Sequence, residues 1–343
     1  MGCVSDTITT FGKASPDGFS PASNRSATPP SRRESERDMS ETRATFIGIG
    51  AQKCASTWLY DILRQCPGVT VSDEKEVDFF SYYFDRGYEW YGRHFAAGPA
   101  RPHRGEISPS YLIHPDAPAR AAAYNPALRI FVTLRDPVDR AFSNHLHEVR
   151  KGHVSGRNLV FETALANNPL YLDQGRYATH LQRWLARFPR DRVHVLFQEE
   201  IGRDRIGAAR LVTDALDLAP LGTLLDRRSN ESVRYRNRRV GEWLWRAGHA
   251  ARGKGLGGVV ERVKAVPGIR QLHALNREPM KAVVAPMTPA TEARLTEHFA
   301  AEVAALEALL GRPVPWPRYR SSPSNPAETP AGGEAKAPHA PAH

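Results

Sequence analysis

Thr45-Phe46-Ile47-Gly48-Ile49 reads as a short strand covered on both faces, and Gly50-Ala51-Gln52-Lys53-Cys54-Ala55-Ser56-Thr57-Trp58 carries the chain from it into a helix. Trp58, Leu59, Ile62 and Leu63 recur at core spacing, so the helix runs from Ser56 to Arg64. Small residues in the turn let backbone N–H groups close round an anion. The helix adds its positive N-terminal end. Lys53 supplies a mobile point charge, and the Ser56 and Thr57 hydroxyls add donors. This is phosphate-cradle chemistry, but it is not the G-x-x-x-x-G-K-[ST] loop: Lys53 stands three residues before the first hydroxyl and no glycine directly precedes it.

Further along, Leu128-Arg129-Ile130-Phe131-Val132-Thr133-Leu134 is a second apolar strand, and Pro137 opens a helix through about Arg150. Between them comes Arg135-Asp136-Pro137-Val138-Asp139-Arg140-Ala141-Phe142-Ser143. A nucleotide triphosphatase would want an acidic Mg²⁺ ligand at this strand end. Arg135 stands there instead, and arginine grips phosphate bidentately without a metal. Ser143 follows eight residues later, two helical turns along. Taken alone, the stretch also fits an Arg–Asp surface pair beside a helix-opening proline. A third strand, Arg192 to Phe197, follows a helix from Tyr177 to Phe188, and a last helix covers Pro289 to Leu310. Strands alternating with helices predict an α/β fold, a P-loop-like parallel sheet flanked by helices in a single domain.

The two anion motifs together resemble the nucleotide-binding signatures of the sulfotransferases that use 3′-phosphoadenosine 5′-phosphosulfate (PAPS). Three more stretches are similar to the heparan-sulfate branch of that family and its bacterial relatives. Lys75-Glu76-Val77-Asp78-Phe79-Phe80 matches a K-E-x-x-F-F motif, followed by the aromatic segment Tyr88 to Phe95. Gly105-Glu106-Ile107-Ser108-Pro109-Ser110-Tyr111 resembles E-K-[ST]-P-x-Y. Gly175-Arg176-Tyr177, Trp184-Leu185 and Phe188-Pro189 match a G-x-Y…W-L…F-P helix. The likeness covers about 45–200, with a weaker echo near 289–316.

The resemblance implies a donor site of Gln52, Lys53, Cys54, Ala55, Ser56, Thr57 and Trp58 for the 5′-phosphosulfate. It gives Arg135 and Ser143 to the 3′-phosphate. It makes Glu76 the general base, with partial burial expected to raise its pKa, and Lys53 the stabiliser of the departing phosphate. Without the resemblance, Glu76 reads as the partner of Lys75. Lys75, Asp78, Tyr111 and His145 are candidate acceptor-side residues, and His147 shares the helix of His145. PAPS is then the co-substrate, with no metal required, and the acceptor is a hydroxyl or amine of a carbohydrate, lipid or small molecule. The lysine of E-K-[ST]-P is Ile107 here, so that contact is lost or supplied elsewhere. The family's late basic loop has no clean match, and Arg234, Arg236, Arg238 and Arg239 are its candidates.

Composition sets the outer limits. The 343 residues are 41% hydrophobic and 24% charged, with 47 Lys and Arg against 37 Asp and Glu, a formal +10. A wholly disordered chain, a collagen-like fibre and a disulfide scaffold are excluded, and no apolar run approaches a membrane span. Residues 1–43 and 321–343 are Ser-, Pro- and Ala-rich and are expected to be disordered tails around a 44–320 domain. Between Val233 and Lys281 stand 12 Lys or Arg and 3 Asp or Glu, a net of +9, suggesting a basic helical insertion. It is either a solvated surface insertion or a lid or patch for an anionic substrate, a membrane surface or nucleic acid. The odd set Cys3, Cys54 and Cys66 lacks zinc spacing, and no secretory signal is evident, so a reducing cytoplasmic setting is expected. Met1-Gly2-Cys3-Val4-Ser5-Asp6 misses the hydroxyl of a myristoylation start. Abundant Ala and Arg suggest a bacterial source. Two other readings are a P-loop small-molecule kinase, and a nucleic-acid or membrane-surface binder built on the basic segment with a decayed nucleotide site. Neither nucleic acid nor an integral membrane is an expected partner.

Overall fold

A computed structural model describes residues 43–96, 101–222, 224, 233–235, 277–279 and 283–320. Its centre is a parallel sheet of β1 (Phe46–Gly50), β2 (Val69–Val71), β3 (His103–Ile107), β4 (Arg129–Leu134) and β5 (Val193–Phe197), in the order β2-β3-β1-β4-β5. Alternate side chains feed two cores, as the strand period of two requires. Ile47, Ile49, Ile130, Val132 and Leu134 enter one cluster. Phe46, Phe131, Ile107 and Leu196 enter the other. Covering both faces demands helices on both. The first core lies under α4 (Pro137–Lys151), α7 (Tyr177–Leu185) and α10 (Pro289–Leu310). The second lies under α1 (Ser56–Gln65) and α9 (Arg205–Asp214). The remaining helices are α2 (Gly87–Ala96), α3 (Ala117–Tyr124), α5 (Phe161–Asn167), α6 (Leu170–Asp173) and α8 (Gln198–Arg203). Fully buried Trp184 and Trp316 anchor the α7–α10 side, each contributing about 3 kcal/mol by removal of apolar area from water.

The chain lays β2 and β3 on one side of β1, then crosses to lay β4 and β5 on the other. The order reverses beside β1, and a crevice opens at the carboxyl ends of β1 and β4, the usual ligand position in such sheets. Both expected anion motifs leave the sheet there.

The expected α/β architecture and its three strands are present, and two strands are additional. In β3, His103, Arg104 and Glu106 hide the strand character, yet it is paired on both sides. β2 has only three residues, too few for a pattern. Tyr177–Phe188 ends as a helix at Leu185, because Pro189 disfavours helical backbone just before it. Of the basic segment, only β6 (Val233–Tyr235) and β7 (Arg277–Pro279) are described; they pair antiparallel, Arg234 opposite Glu278. The helical reading of that insertion, Arg236, Arg238, Arg239 and both tails lie outside the described residues, Arg43 excepted.

Candidate active site

The cradle follows from local backbone geometry. β1 ends at Gly50, where φ is +124° and a Cβ would come within 2.8 Å of the Pro109 carbonyl, so only glycine fits. Ala51 N–H donates to the Thr133 carbonyl at 2.7 Å, tying the turn to β4. Lys53 and Ala55 then take left-handed φ values of 69° and 70°. Helix α1 begins with no side-chain cap and no acidic residue in its first turn. Its positive end therefore meets the crevice without a resident carboxylate.

Helix α4 supplies the facing wall. Asp136 caps it, accepting from Val138 N–H at 3.0 Å and Asp139 N–H at 3.4 Å, and Pro137 occupies the first turn. The Arg135 carbonyl accepts from the Tyr177 hydroxyl at 2.8 Å, which seats the strand end. Ser143, His147, Arg150 and Lys151 then recur on one helical face and line the crevice with Arg135. Lys53 Nζ lies 3.4 Å from His147 Nδ1, and Arg150 Nη2 approaches the same nitrogen at 2.9 Å. Burial and the nearby Lys53, Lys151 and Arg150 push the His147 pKa down to about 3. A neutral imidazole can then accept at Nδ1, with Arg150 the nearer donor and Lys53 the longer contact. Burial first, then Arg150, lowers the Lys53 pKa, while Glu76 opposes the fall.

The acidic loop is the third wall. Glu76 and Asp78 both have left-handed φ, 64° and 57°. Such backbone costs on the order of 1–3 kcal/mol per residue and concentrates where surroundings impose it. The surroundings here are a polar ladder and an aromatic stack. Asp78 N–H donates to Ser108 Oγ at 2.8 Å, and Ser108 Oγ donates to Glu106 Oε2 at 2.7 Å. Ser110 Oγ donates to Asp78 Oδ1 at 2.7 Å. Phe79 stacks on Tyr91 at 4.5 Å, and Phe80 meets Tyr111 edge-on at 5.4 Å. Glu106 is wholly buried, and desolvation raises its pKa to about 8 against the help of Ser108. Its Oε1 is buried together with the Tyr91 and Tyr111 hydroxyls, and burial first, then the carboxylate, raises the pKa of both phenols.

These walls enclose a crevice of about 820 Å³. Gln52, Lys53, Ala55, Ser56, Thr57, Trp58, Lys75, Glu76, Arg135 and Ser143 all line it, so most of the expected donor and catalytic residues meet in one place. Four expected site residues do not line it. Cys54 is buried, its Sγ turned to the Gln52 carbonyl and the Tyr177 hydroxyl, and burial pushes its thiol up to about 11. Asp78 belongs to the ladder beneath the acidic loop. Tyr111 is a core ring. His145 is fully buried on the far face of α4, bonded to the Tyr171 hydroxyl and the Leu159 carbonyl. The residue in the crevice is His147, because it lies four positions after Ser143 and His145 only two. That helical count was the signal available in the sequence, and it equally marks Arg150 and Lys151. Glu76 is exposed rather than partly buried, and it forms an ion pair with Lys75. Ile107 is buried against Gly48, so the cation of the related motif has no counterpart there.

A family model described as "Sulfotransferase domain" matches residues 44–236, more than half of the chain.

The chain belongs to the sulfotransferase domain family.

Its matched region holds β1 to β5 and every residue of the crevice named above. The human bifunctional heparan sulfate N-deacetylase/N-sulfotransferase 2 is 28% identical over 194 residues, covering 51% of this chain and 22% of that one. Mouse heparan sulfate glucosamine 3-O-sulfotransferase 6 is 32% identical over 183 residues, covering 48% of this chain and 53% of that one. The match therefore spans about a fifth to a half of those relatives' length. Among solved structures, a sulfotransferase from Alicyclobacillus acidocaldarius aligns with a TM-score of 0.56 and 25% identity, over 79% of this chain and 97% of that chain. No helix among the described residues is long and apolar enough to cross a membrane.

Proposed function

We propose that this sulfotransferase-family chain moves a sulfuryl group from PAPS to a hydroxyl or amine of a carbohydrate or small-molecule acceptor. The observation that carries the reading is one crevice walled by Lys53, Arg135, Ser143 and Glu76 at the carboxyl edge of the sheet. The residues fit such a donor. An uncapped helix N-terminus with Ser56 and Thr57 suits the 5′-phosphosulfate, and Arg135 with Ser143 suits a 3′-phosphate. Both ends of a bisphosphorylated nucleoside are thereby addressed without a metal.

In the reaction, Glu76 takes the acceptor's proton as the acceptor oxygen or nitrogen bonds to sulfur. The bond from sulfur to the bridging phosphate oxygen breaks, and adenosine 3′,5′-bisphosphate leaves with the electron pair. Lys53 neutralises the charge arriving on that oxygen. His147 holds the ammonium in place without adding charge of its own. Glu76 is paired with Lys75, so an acceptor must displace or share that lysine to reach the carboxylate. The free thiols Cys54 and Cys66 support a reducing, cytoplasmic setting. The heparan-sulfate relatives support a glycan acceptor. A lipid acceptor, a peripheral surface contact through the basic segment and a bacterial source are further proposals.

Calorimetric titration with adenosine 3′,5′-bisphosphate and with ATP tests the donor. Tight binding of the bisphosphate alone is expected, whereas preferential binding of ATP with Mg²⁺ would replace the reading with a kinase. Incubation with ³⁵S-labelled donor and a cell extract, followed by mass spectrometry for an added SO₃, identifies the acceptor.

A further inference from the structure

The arginine assigned above to the 3′-phosphate has a competitor on the helix that follows it, α4. Arg135 Nη2 lies 4.0 Å from Asp139 Oδ2, one turn along. That carboxylate is held from behind by Arg318, which comes from the short turn Pro317–Tyr319 after α10, beyond the matched family region. Arg318 Nη2 donates to Asp139 Oδ1 at 3.0 Å across 179 positions of chain. Its Nε lies 2.9 Å from Asp136 Oδ2, and its Nη2 also lies 3.3 Å from Glu292 Oε1. One guanidinium thus gathers three carboxylates, with Asp136 almost wholly buried beneath it. The turn is fixed to the donor scaffold. Trp316 is fully buried, edge-on to Phe197 at 5.4 Å and tilted against Tyr177 at 6.0 Å. Tyr177 is the residue whose hydroxyl holds the Arg135 carbonyl.

We propose that Arg318 is a positioning residue for the donor: it draws Asp139 away from Arg135, so that Arg135 meets the 3′-phosphate of the nucleotide instead of its own neighbour. The inference rests on Arg135 being the 3′-phosphate ligand. A carboxylate and a phosphate compete for the same fork of donors. In a partly desolvated crevice, an unmatched carboxylate a few ångströms from the phosphate also repels it. Arg318 relieves both effects at once, since it engages Asp139 and balances the charge of Asp136. Its action on the nucleotide is indirect, because it lines no part of the crevice.

The test is calorimetric affinity for adenosine 3′,5′-bisphosphate and adenosine 5′-monophosphate in Arg318→Ala, Asp139→Asn, the double variant and Arg135→Ala. Arg318→Ala should weaken the bisphosphate about tenfold and the monophosphate less than about twofold, the scale for one charge contact. Asp139→Asn should leave bisphosphate affinity unchanged or tighter, and in the double variant it should restore most of what Arg318→Ala lost. Equal losses for both nucleotides in Arg318→Ala would make the arginine a structural prop and overturn the proposal. So would weaker bisphosphate binding in Asp139→Asn, or a double variant no better than Arg318→Ala. Should Arg318→Ala fail to fold, Arg318→Lys carries the same comparison, since it keeps the charge but cannot span the carboxylates. Arg135→Ala separates the two readings: equal nucleotide losses there would refute the 3′-phosphate contact itself, whatever Arg318 does.

Discussion

Lys53 and His147 meet as an ammonium 3.4 Å from a ring nitrogen that carries no charge. The imidazole is kept neutral by burial and by the cations around it, and the same crowding lowers the Lys53 pKa. The turn after β1 and the middle of α4 thus share one polar contact, and it holds the Lys53 ammonium in the crevice.

Lys53→Ala should lower single-turnover transfer by ~10²-fold or more, the scale for losing a preorganised charge stabiliser. Donor affinity should fall far less, because the helix terminus and Arg135 remain. An unchanged transfer rate would remove Lys53 from the mechanism.

Glu76→Gln keeps the size and the strained backbone position but cannot accept the acceptor's proton. Transfer should be abolished, with affinity for adenosine 3′,5′-bisphosphate nearly intact. Equal loss of binding would mark Glu76 as a structural partner of Lys75 instead of a base.

The two α4 histidines should separate cleanly. His145→Ala opens a hole in the core and strips the Tyr171 hydroxyl and Leu159 carbonyl of their partner, for a loss of about 2–4 kcal/mol in urea unfolding. Turnover per folded molecule should stay near wild type. His147→Ala should do the reverse, cutting turnover about tenfold through a misplaced Lys53 with little change in unfolding. An inactive but fully stable His145 variant would contradict the placement of that ring.

Glu106 gives a pH test. Its folded pKa is raised to about 8, while the unfolded group titrates near 4.5. Between those values the folded protein holds one proton more than the unfolded chain. Its contribution to stability therefore falls as pH rises through that window, by about 1.4 kcal/mol per pH unit. Glu106→Gln removes the titration, so its stability relative to wild type should climb from about pH 5 to about pH 8. Parallel unfolding curves across that range would mean that Glu106 is already ionised in the fold.

Much of the framework was legible because it is local. The apolar run Phe46–Ile49, the Pro137 start and the helical stretch 289–310 each carry their own local signals. The motif order placed Lys53, Arg135, Ser143 and Glu76 in a common site, and the crevice contains all four. β3 escaped notice because its pairing on both sides, not its composition, makes it a strand. Asp78, Tyr111 and Cys54 looked like site residues because they sit inside motifs. A motif marks a stretch of chain, and which side chains of that stretch face solvent is set by packing.

The amino-acid sequence by itself determined the alternation of strands and helices, the two anion-seeking turns and the acidic loop, since backbone propensity and short-range spacing act within a few residues. Only the tertiary structure decided that the Ser143 and His147 face of α4 turns to the crevice, that Ile107 fills space under Gly48, and that Arg318 reaches back to Asp139. Those outcomes depend on which surfaces come together when the sheet closes between its helices, and contacts separated by many tens of residues leave no local trace in the chain.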